Sequence, residues 1–419
     1  MFGSVPTSPK HIDDYRPIVG DQRVDEIVDF ARSLKGARVL NINATAFGGG
    51  VAELLGSLVP LMQDIGVEAD WQVIRGSDEF YKVTKSIHNS LQGMHVPWTR
   101  ELRDIWLRHS AINADLFDVE YDFVVIHDPQ PAGILSLLTQ KLGRRPAGNW
   151  IWRCHIDLTG AQFDMWNFLR PYVELHDAAI FTLQGYVKPD LKMPMVAIAP
   201  PAIDPLSTKN VEMSREAVDE VIHRYGVDST RPIMLQVSRF DPWKDPLGVI
   251  DAYRIVRKDI PTVQLVLIGS MATDDPEGWS YYERTLRRAC EDNDIHILTN
   301  LNGVGNAEVN AFQRASDVVL QKSLREGFGL TVSEALWKGR PVVAGNVGGL
   351  PLQVIDGRTG FLVGDVPGCA SRCLDLLNHP DESASMGQAG REHVRQNFLI
   401  TTYLRRYLML FNELGNLGR

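Results

Sequence analysis

Residues 122–157, DFVVIHDPQPAGILSLLTQKLGRRPAGNWIWRCHID, decide the fold. The apolar runs DFVVIHD (122–128) and NWIWRCHID (149–157) have strand character, and PAGILSLLTQKLG (131–143) between them reads as a helix. Strand–helix–strand with apolar strands predicts parallel strands covered on both faces.

The same rhythm extends outward. DQRVDEIVDFARSLK (21–35) puts Val24, Ile27, Val28, Ala31 and Leu34 on one helical face, and Gly36 ends it. RVLNINA (38–44) reads as a buried strand and VAELLGSLVPLMQDIG (51–66) as a helix; DMWNFLRPYVELHD (164–177) is helix-like and AAIFT (178–182) a strand. The alternation pauses at MVAIAPPAIDPLSTKN (195–210), where Pro200, Pro201 and Pro205 exclude a central strand and predict a linker. It restarts with strands expected at 233–238, 263–269, 295–300, 317–323 and 341–345, and helices near 246–258, 279–292, 306–316 and 330–338. The expectation is therefore α/β: two doubly wound, Rossmann-like parallel-sheet domains, 1–205 and 206–398, facing a cleft. The amphipathic closing segment, 399–419, is expected to pack back on the first domain rather than to form a coiled coil.

At 419 residues the chain fits two domains. Lys+Arg 43 against Asp+Glu 52 leaves a net charge of −9, which argues against a global grip on nucleic acid or an anionic membrane. Any anion must be held by a local basic site. The first twenty residues lack a basic start and an apolar run, and no stretch approaches ~18 uninterrupted apolar residues. Four cysteines without a CxxC read as reduced, small buried side chains, and the expectation is a cytoplasmic protein. No HExxH or Cys/His cluster appears, and the acidic pairs Asp13-Asp14 and Asp274-Asp275 lie in polar, turn-like segments, so no metal site is expected.

Four stretches could carry chemistry. FGGGVAE (47–53) sits between a strand and a helix, where Gly49 and Gly50 allow close backbone approach and the helix start offers N–H groups to a phosphate; a tight structural turn explains it equally well. QVSRFDPWKDP (236–246) presents Arg239 and Lys244 at a strand's carboxyl end, a pairing suited to a diphosphate, although two solvated loop charges have the same spacing. SLREGFGLTVSEALWKGRPVVAG (323–345) places Glu326 at a strand-to-helix turn and Glu334 eight residues on, with Gly327, Phe328, Gly329 and Leu330 at the helix start; a capped helix with one exposed Glu is the alternative. HDPQ (127–130) and WRCHID (152–157) bring His127, Asp128, Gln130, His155 and Asp157 to strand ends, where a single His is commonly structural.

Taken together, the GGG after the first strand, Arg239 with Lys244, and Glu326-Gly-Phe-Gly-Leu…Glu334 resemble glycosyltransferase family 4, a retaining family of GT-B fold. Within it, INATAFGGGVAELL, VVIHDPQPAG, WIWRCHIDLTG and VSRFDPWKDPLGVIDAYR are similar to the branch that moves glucose from a nucleoside-diphosphate glucose to free glucose, making trehalose. The resemblance implies roles. Arg239 and Lys244 hold the diphosphate. Glu326 and the Gly327–Gly329 amides orient the donor glucose, helped by the helix start at Leu330 and by the loop at Gly48–Gly50. Glu334 takes the ribose hydroxyls, and the Asn300–Val304 loop, with Asn302, passes the nucleobase. His155 contacts the donor sugar; Asp128 and Gln130 meet the acceptor. It further implies a homodimer acting on NDP-glucose (ADP-, UDP- or GDP-) and on glucose or trehalose, with no cofactor and no motif that requires Mg2+. Three other readings stay open: a retaining trehalose phosphorylase using inorganic phosphate, another family 4 sugar transferase, and a catalytically silent nucleotide-sugar binder.

Overall fold

The computed structural model describes residues 2–47, 49–117, 119–271 and 276–417. They divide into two α/β units, one from the chain up to Ala202 plus the segment from Ile400 on, the other from Ile203–Leu399. In the first, strands β1 (Gly3–Ser4), β2 (Arg38–Asn43), β3 (Glu68–Val73), β4 (Phe123–His127), β5 (Asn149–Arg153), β6 (Ala178–Phe181) and β7 (Met195–Ile198) form one sheet in the order β1-β3-β2-β4-β5-β6-β7. All neighbours are parallel except β1 and β3. In the second, β8 (Ile233–Val237), β9 (Gln264–Gly269), β10 (Ile295–Thr299), β11 (Val318–Gln321), β12 (Val342–Gly345) and β13 (Gly360–Val363) form an all-parallel sheet in the order β10-β9-β8-β11-β12-β13.

Each order contains one reversal. The chain runs from β2 outward to β3 and returns to lay β4 on the other side of β2; it runs from β8 to β9 and β10 and returns to lay β11 beside β8. Connections that leave a sheet in opposite directions open a crevice at the carboxyl ends of the two strands, so the β2/β4 and β8/β11 loops are where a ligand is expected.

Side-chain alternation sorts the first sheet into two cores. Val39, Phe123, Val125 and Ile151 point to one face, and Leu40, Ile42, Val124, Ile126, Trp150 and Trp152 to the other. The closing helix, Ile400–Leu417, seals the first face with buried Tyr403, Leu404, Tyr407, Leu408 and Phe411, the last stacked on Phe123 with ring centroids 4.5 Å apart. Arg153 ties it down from within: Nε donates to Tyr403 Oη at 3.3 Å, Nη2 to Ala199 O at 2.8 Å, and Nη1 to Cys154 O and Ile180 O at 3.0 and 3.2 Å. A fully buried guanidinium is thus satisfied without a carboxylate.

The structure corrects the sequence expectations in several places. The first four residues of the expected linker form edge strand β7, whose alternating burial marks a sheet margin, and the prolines follow it. β3, with its alternating exposed positions and only the two-residue β1 outside it, lacks the continuous apolar run that marks its neighbours. Helices Asp78–Leu91, Arg100–Asp115, Val366–Asn378 and Pro380–Asn397 and strand β13 are likewise additions. Cys154, Cys369 and Cys373 are buried thiols, but Cys290 is exposed, at φ 58° just past the helix Pro276–Ala289. Gly48, Asp274 and Asp275 lie outside the described residues. Among the described residues no helix is long and apolar enough to cross a membrane.

Candidate active site

The loop after β8 is shaped by its own carboxylates. Asp241 accepts from the Trp243 and Lys244 amides at 2.9 and 3.1 Å, closing a single 3-10 turn. Asp245, at φ 49°, caps the helix Pro246–Asp259 through the Gly248 amide at 3.0 Å and is held by Lys322 Nζ. This fixes the Lys244 backbone, whose carbonyl also accepts from Gln236 Nε2 at 2.8 Å. Lys244 Nζ then reaches Glu326 Oε2 at 2.5 Å, across from the loop after β11. Gln321 Nε2 and Ser323 Oγ approach the same oxygen at 3.1 and 3.4 Å. The Lys244 side chain is only 16% exposed, whereas Arg239 is 64% exposed, with Nη2 3.3 Å from Asp241 Oδ2. The structure therefore brings Lys244 and Glu326 together, while Arg239 extends into solvent from the same loop.

Behind Glu326 the chain turns into the helix Leu330–Trp337 through Gly329 at φ 84°. The left-handed φ favours glycine there, and a Cβ would also stand close, 3.1 Å from Leu350 Cδ2 and 3.2 Å from Glu326 Cγ. Phe328 points its ring into the core against Phe398, so only its backbone faces the turn. Glu334, one turn into the helix, is 1% exposed rather than open: Oε1 lies 3.4 Å from Lys209 Nζ and Oε2 3.5 Å from Gln313 Nε2. Next to it Lys338 Nζ donates to Asn210 Oδ1 at 2.9 Å and Glu334 O at 3.2 Å, and burial pushes that amine down to about 7. Asn302 is committed locally, its Oδ1 accepting from Thr299 N and Oγ1 at 3.0 and 3.1 Å.

The crevice of the first sheet is built differently. At the end of β4 Asp128 adopts φ 65°, a left-handed conformation that costs a non-glycine residue roughly 1–3 kcal/mol. Three backbone-directed bonds hold it: Oδ1 accepts from the His155 amide at 2.8 Å, its amide donates to Arg153 O at 2.8 Å, and its carbonyl accepts from Trp152 Nε1 at 3.1 Å. Burial raises its carboxyl to about 6 against the opposing pull of the His155 amide and Arg153. His127 Nδ1 meets His155 Nε2 at 3.1 Å, and His127 Nε2 meets Asn41 Oδ1 at 3.2 Å. Burial first, and then the Arg153 charge, pushes His127 down to about 3 and His155 well below its ordinary value. Gln130 Oε1 is buried and has no hydrogen-bond partner among the described residues. Asp157 is taken up by its own turn, accepting from Thr159 N and Oγ1. At the end of β2, Gly49 at φ 86° opens the helix Gly50–Asp64.

Sequence reasoning missed Gln321, Lys322, Lys209 and Asn41. The first two carry a readable signal, polar residues closing a buried strand; Lys209 sits in the expected linker and Asn41 inside an apolar strand, and neither position announces a role.

Two families match. Trehalose synthase, N-terminal domain, covers residues 41–188, and Glycosyl transferases group 1 covers 218–393. The chain is 51% identical over 406 residues to the trehalose synthase of Thermococcus litoralis, spanning 96% of this chain and 97% of that one. It is 30% identical over 431 residues to the trehalose phosphorylase of Grifola frondosa, spanning 91% of this chain and 58% of that one. Among solved structures, sucrose-phosphate synthase from Thermosynechococcus elongatus shares the fold at TM-score 0.70 and 17% identity, spanning 91% of this chain and all of that one. The chain thus belongs to the trehalose synthase family, a group of trehalose-related glycosyltransferases of GT-B fold.

Proposed function

We propose that the protein transfers glucose, with retention of configuration, from a nucleoside-diphosphate glucose to free glucose and forms α,α-trehalose. The observation that carries this reading is the meeting of Lys244 and Glu326 at the β8/β11 reversal, an ammonium and a carboxylate held together at the start of a helix. A diphosphate needs cations and amide donors, and a sugar ring needs a carboxylate for its hydroxyls; one loop pair supplies both.

In this reading Lys244 and Arg239 take the diphosphate, Glu326 and the Gly327–Gly329 backbone take the donor glucose, and Glu334 shares its carboxylate between Lys209 and the ribose hydroxyls. Asn302 acts through the turn it closes, beside the nucleobase. The bond from the anomeric carbon to phosphate oxygen breaks as positive charge develops on the sugar. The two cations stabilise the departing negative charge, and each 1.4 kcal/mol so gained is worth about tenfold in rate. The acceptor hydroxyl attacks from the face the diphosphate leaves, and its proton passes to the leaving phosphate oxygen. The first unit contributes hydroxyl recognition: His155 to the donor sugar, Asp128 and Gln130 to the acceptor. No step calls for a metal, since the side chains themselves neutralise the phosphates.

The test is a donor screen. Purified protein is incubated with ADP-, UDP- or GDP-glucose and free glucose, and products are identified by mass and by NMR of the anomeric protons. Formation of a non-reducing disaccharide with α linkage at both anomeric carbons, dependent on one of the nucleotides, is expected. Release of glucose 1-phosphate from trehalose with inorganic phosphate and no nucleotide would assign the phosphorylase reaction instead. Binding of nucleotide without turnover would leave a silent binder.

A further inference from the structure

His155, Nε2 to His127 Nδ1, and His127, Nε2 to Asn41 Oδ1, form a continuous line of contacts from the mouth of the first sheet into its interior. The two rings are nearly parallel, 14° apart, and a centroid separation of 5.4 Å around an N···N contact of 3.1 Å turns the shared nitrogens toward each other. Asn41 lies on β2 and His127 on β4, the two strands of the reversal, and His155 follows β5. Asn41 and His127 are buried. We infer that Asn41 and His127 are positioning residues that lock His155 in the tautomer with the proton on Nε2, leaving Nδ1 as a hydrogen-bond acceptor for a sugar hydroxyl.

The argument is one of donor and acceptor counting. An amide oxygen only accepts, so the nitrogen facing it, His127 Nε2, carries a proton. A neutral imidazole carries one proton, so His127 Nδ1 is a lone pair. The nitrogen facing that lone pair, His155 Nε2, must then donate, and His155 Nδ1 is left without a proton. Both rings stay neutral because they are buried, and the nearby Arg153 charge pushes them the same way. The His155 backbone is fixed independently, its amide donating to Asp128 Oδ1 at 2.8 Å. The ring is thereby held at its backbone and at Nε2, and Nδ1 can receive a hydroxyl proton but cannot supply one. His155 consequently orients a substrate hydroxyl and does not act as a general acid.

The identity of the hydroxyl rests on the proposed transfer reaction; the tautomer does not. The experiment is long-range proton–nitrogen NMR on the full chain with nitrogen-15 histidine and no ligand, the two rings being assigned with His127→Asn and His155→Gln. A pyrrole-type Nε2 and a pyridine-type Nδ1 on His155 are expected. A protonated Nδ1 on His155 would overturn the relay; it would mean that the Asn41 amide presents Nδ2 to His127. Kinetics supplies the second arm. His127→Leu removes the acceptor and should lower kcat/KM for the donor about tenfold, whereas His127→Asn keeps an oxygen near the Nδ1 position and should recover most of it. His127→Asn should also retain the Nε2-protonated signature that His127→Leu loses. Equal losses in both variants with an unchanged His155 signature would show a packing role and contradict the inference. Failure of the donor screen alone would leave the NMR result standing.

Discussion

Around the β2/β4 reversal the polar groups are two imidazoles, an orphaned Gln130 oxygen, the Asn41 amide and a carboxyl whose proton affinity is raised; around the β8/β11 reversal they are Lys244, Glu326, Arg239, Lys322 and Asp245. Two mainly parallel sheets with the same kind of strand reversal have thus been fitted with different electrostatics. In the first, burial and the Arg153 charge hold His127 and His155 neutral, and burial raises the Asp128 carboxyl to about 6 against the pull of Arg153. In the second, ions are kept but paired. Pairing Lys244 with Glu326 reduces its desolvation cost and aims Nζ across from its own loop, while the more exposed Arg239 side chain pairs with Asp241. The difference teaches that chemistry was separated by dielectric environment rather than by fold.

The comparison breaks most visibly at the cations. Lys244→Ala and Arg239→Ala should each lower kcat about 100-fold, because a lost cation is felt where leaving-group charge develops. Near-normal turnover in both would mean the ionic crevice does not hold the phosphates. A smaller effect is expected at Glu334→Ala, a rise of about tenfold in donor KM with kcat little changed, since ribose contacts are made equally before and during reaction. A loss confined to kcat would remove Glu334 from the ribose.

The neutral crevice is tested by acid. His127 and His155 are held below the ordinary 6.5, so on acidification through about 6.5 the unfolded chain takes up protons that the folded chain refuses. His176, pushed down to about 4 by burial, adds to this. Asp128, raised from 3.8 to about 6, works in the other direction over that narrower interval. Three imidazoles against one carboxyl predict that Tm falls from about pH 7 to about pH 5, measured by calorimetry at constant ionic strength. A Tm that holds or rises over that range would show that the imidazoles are not kept neutral.

How much of this was legible in the sequence follows from burial. Strands covered on both faces, such as β4 and β9, leave continuous apolar runs and are read directly. Strands at a margin, β3 and β7, alternate with polar residues and are not. Lys244, Glu326, Asp128 and His155 were readable because each ends or follows an apolar run. Lys209 and Asn41 were not, since a lysine after a proline-rich crossing and an asparagine inside a strand gain meaning only when Glu334 and His127 arrive beside them. The partners of Glu334 were hidden for the same reason: helical position places it near the turn, but the Lys209 that meets it lies far upstream in sequence.

The most direct test of the account is a crystal structure of the protein with a nucleoside diphosphate bound. It should place the phosphate oxygens within hydrogen-bond distance of Lys244 Nζ and Arg239, with the ribose against Glu334. Phosphates lying away from both side chains would contradict the central claim that these two cations draw the leaving group away.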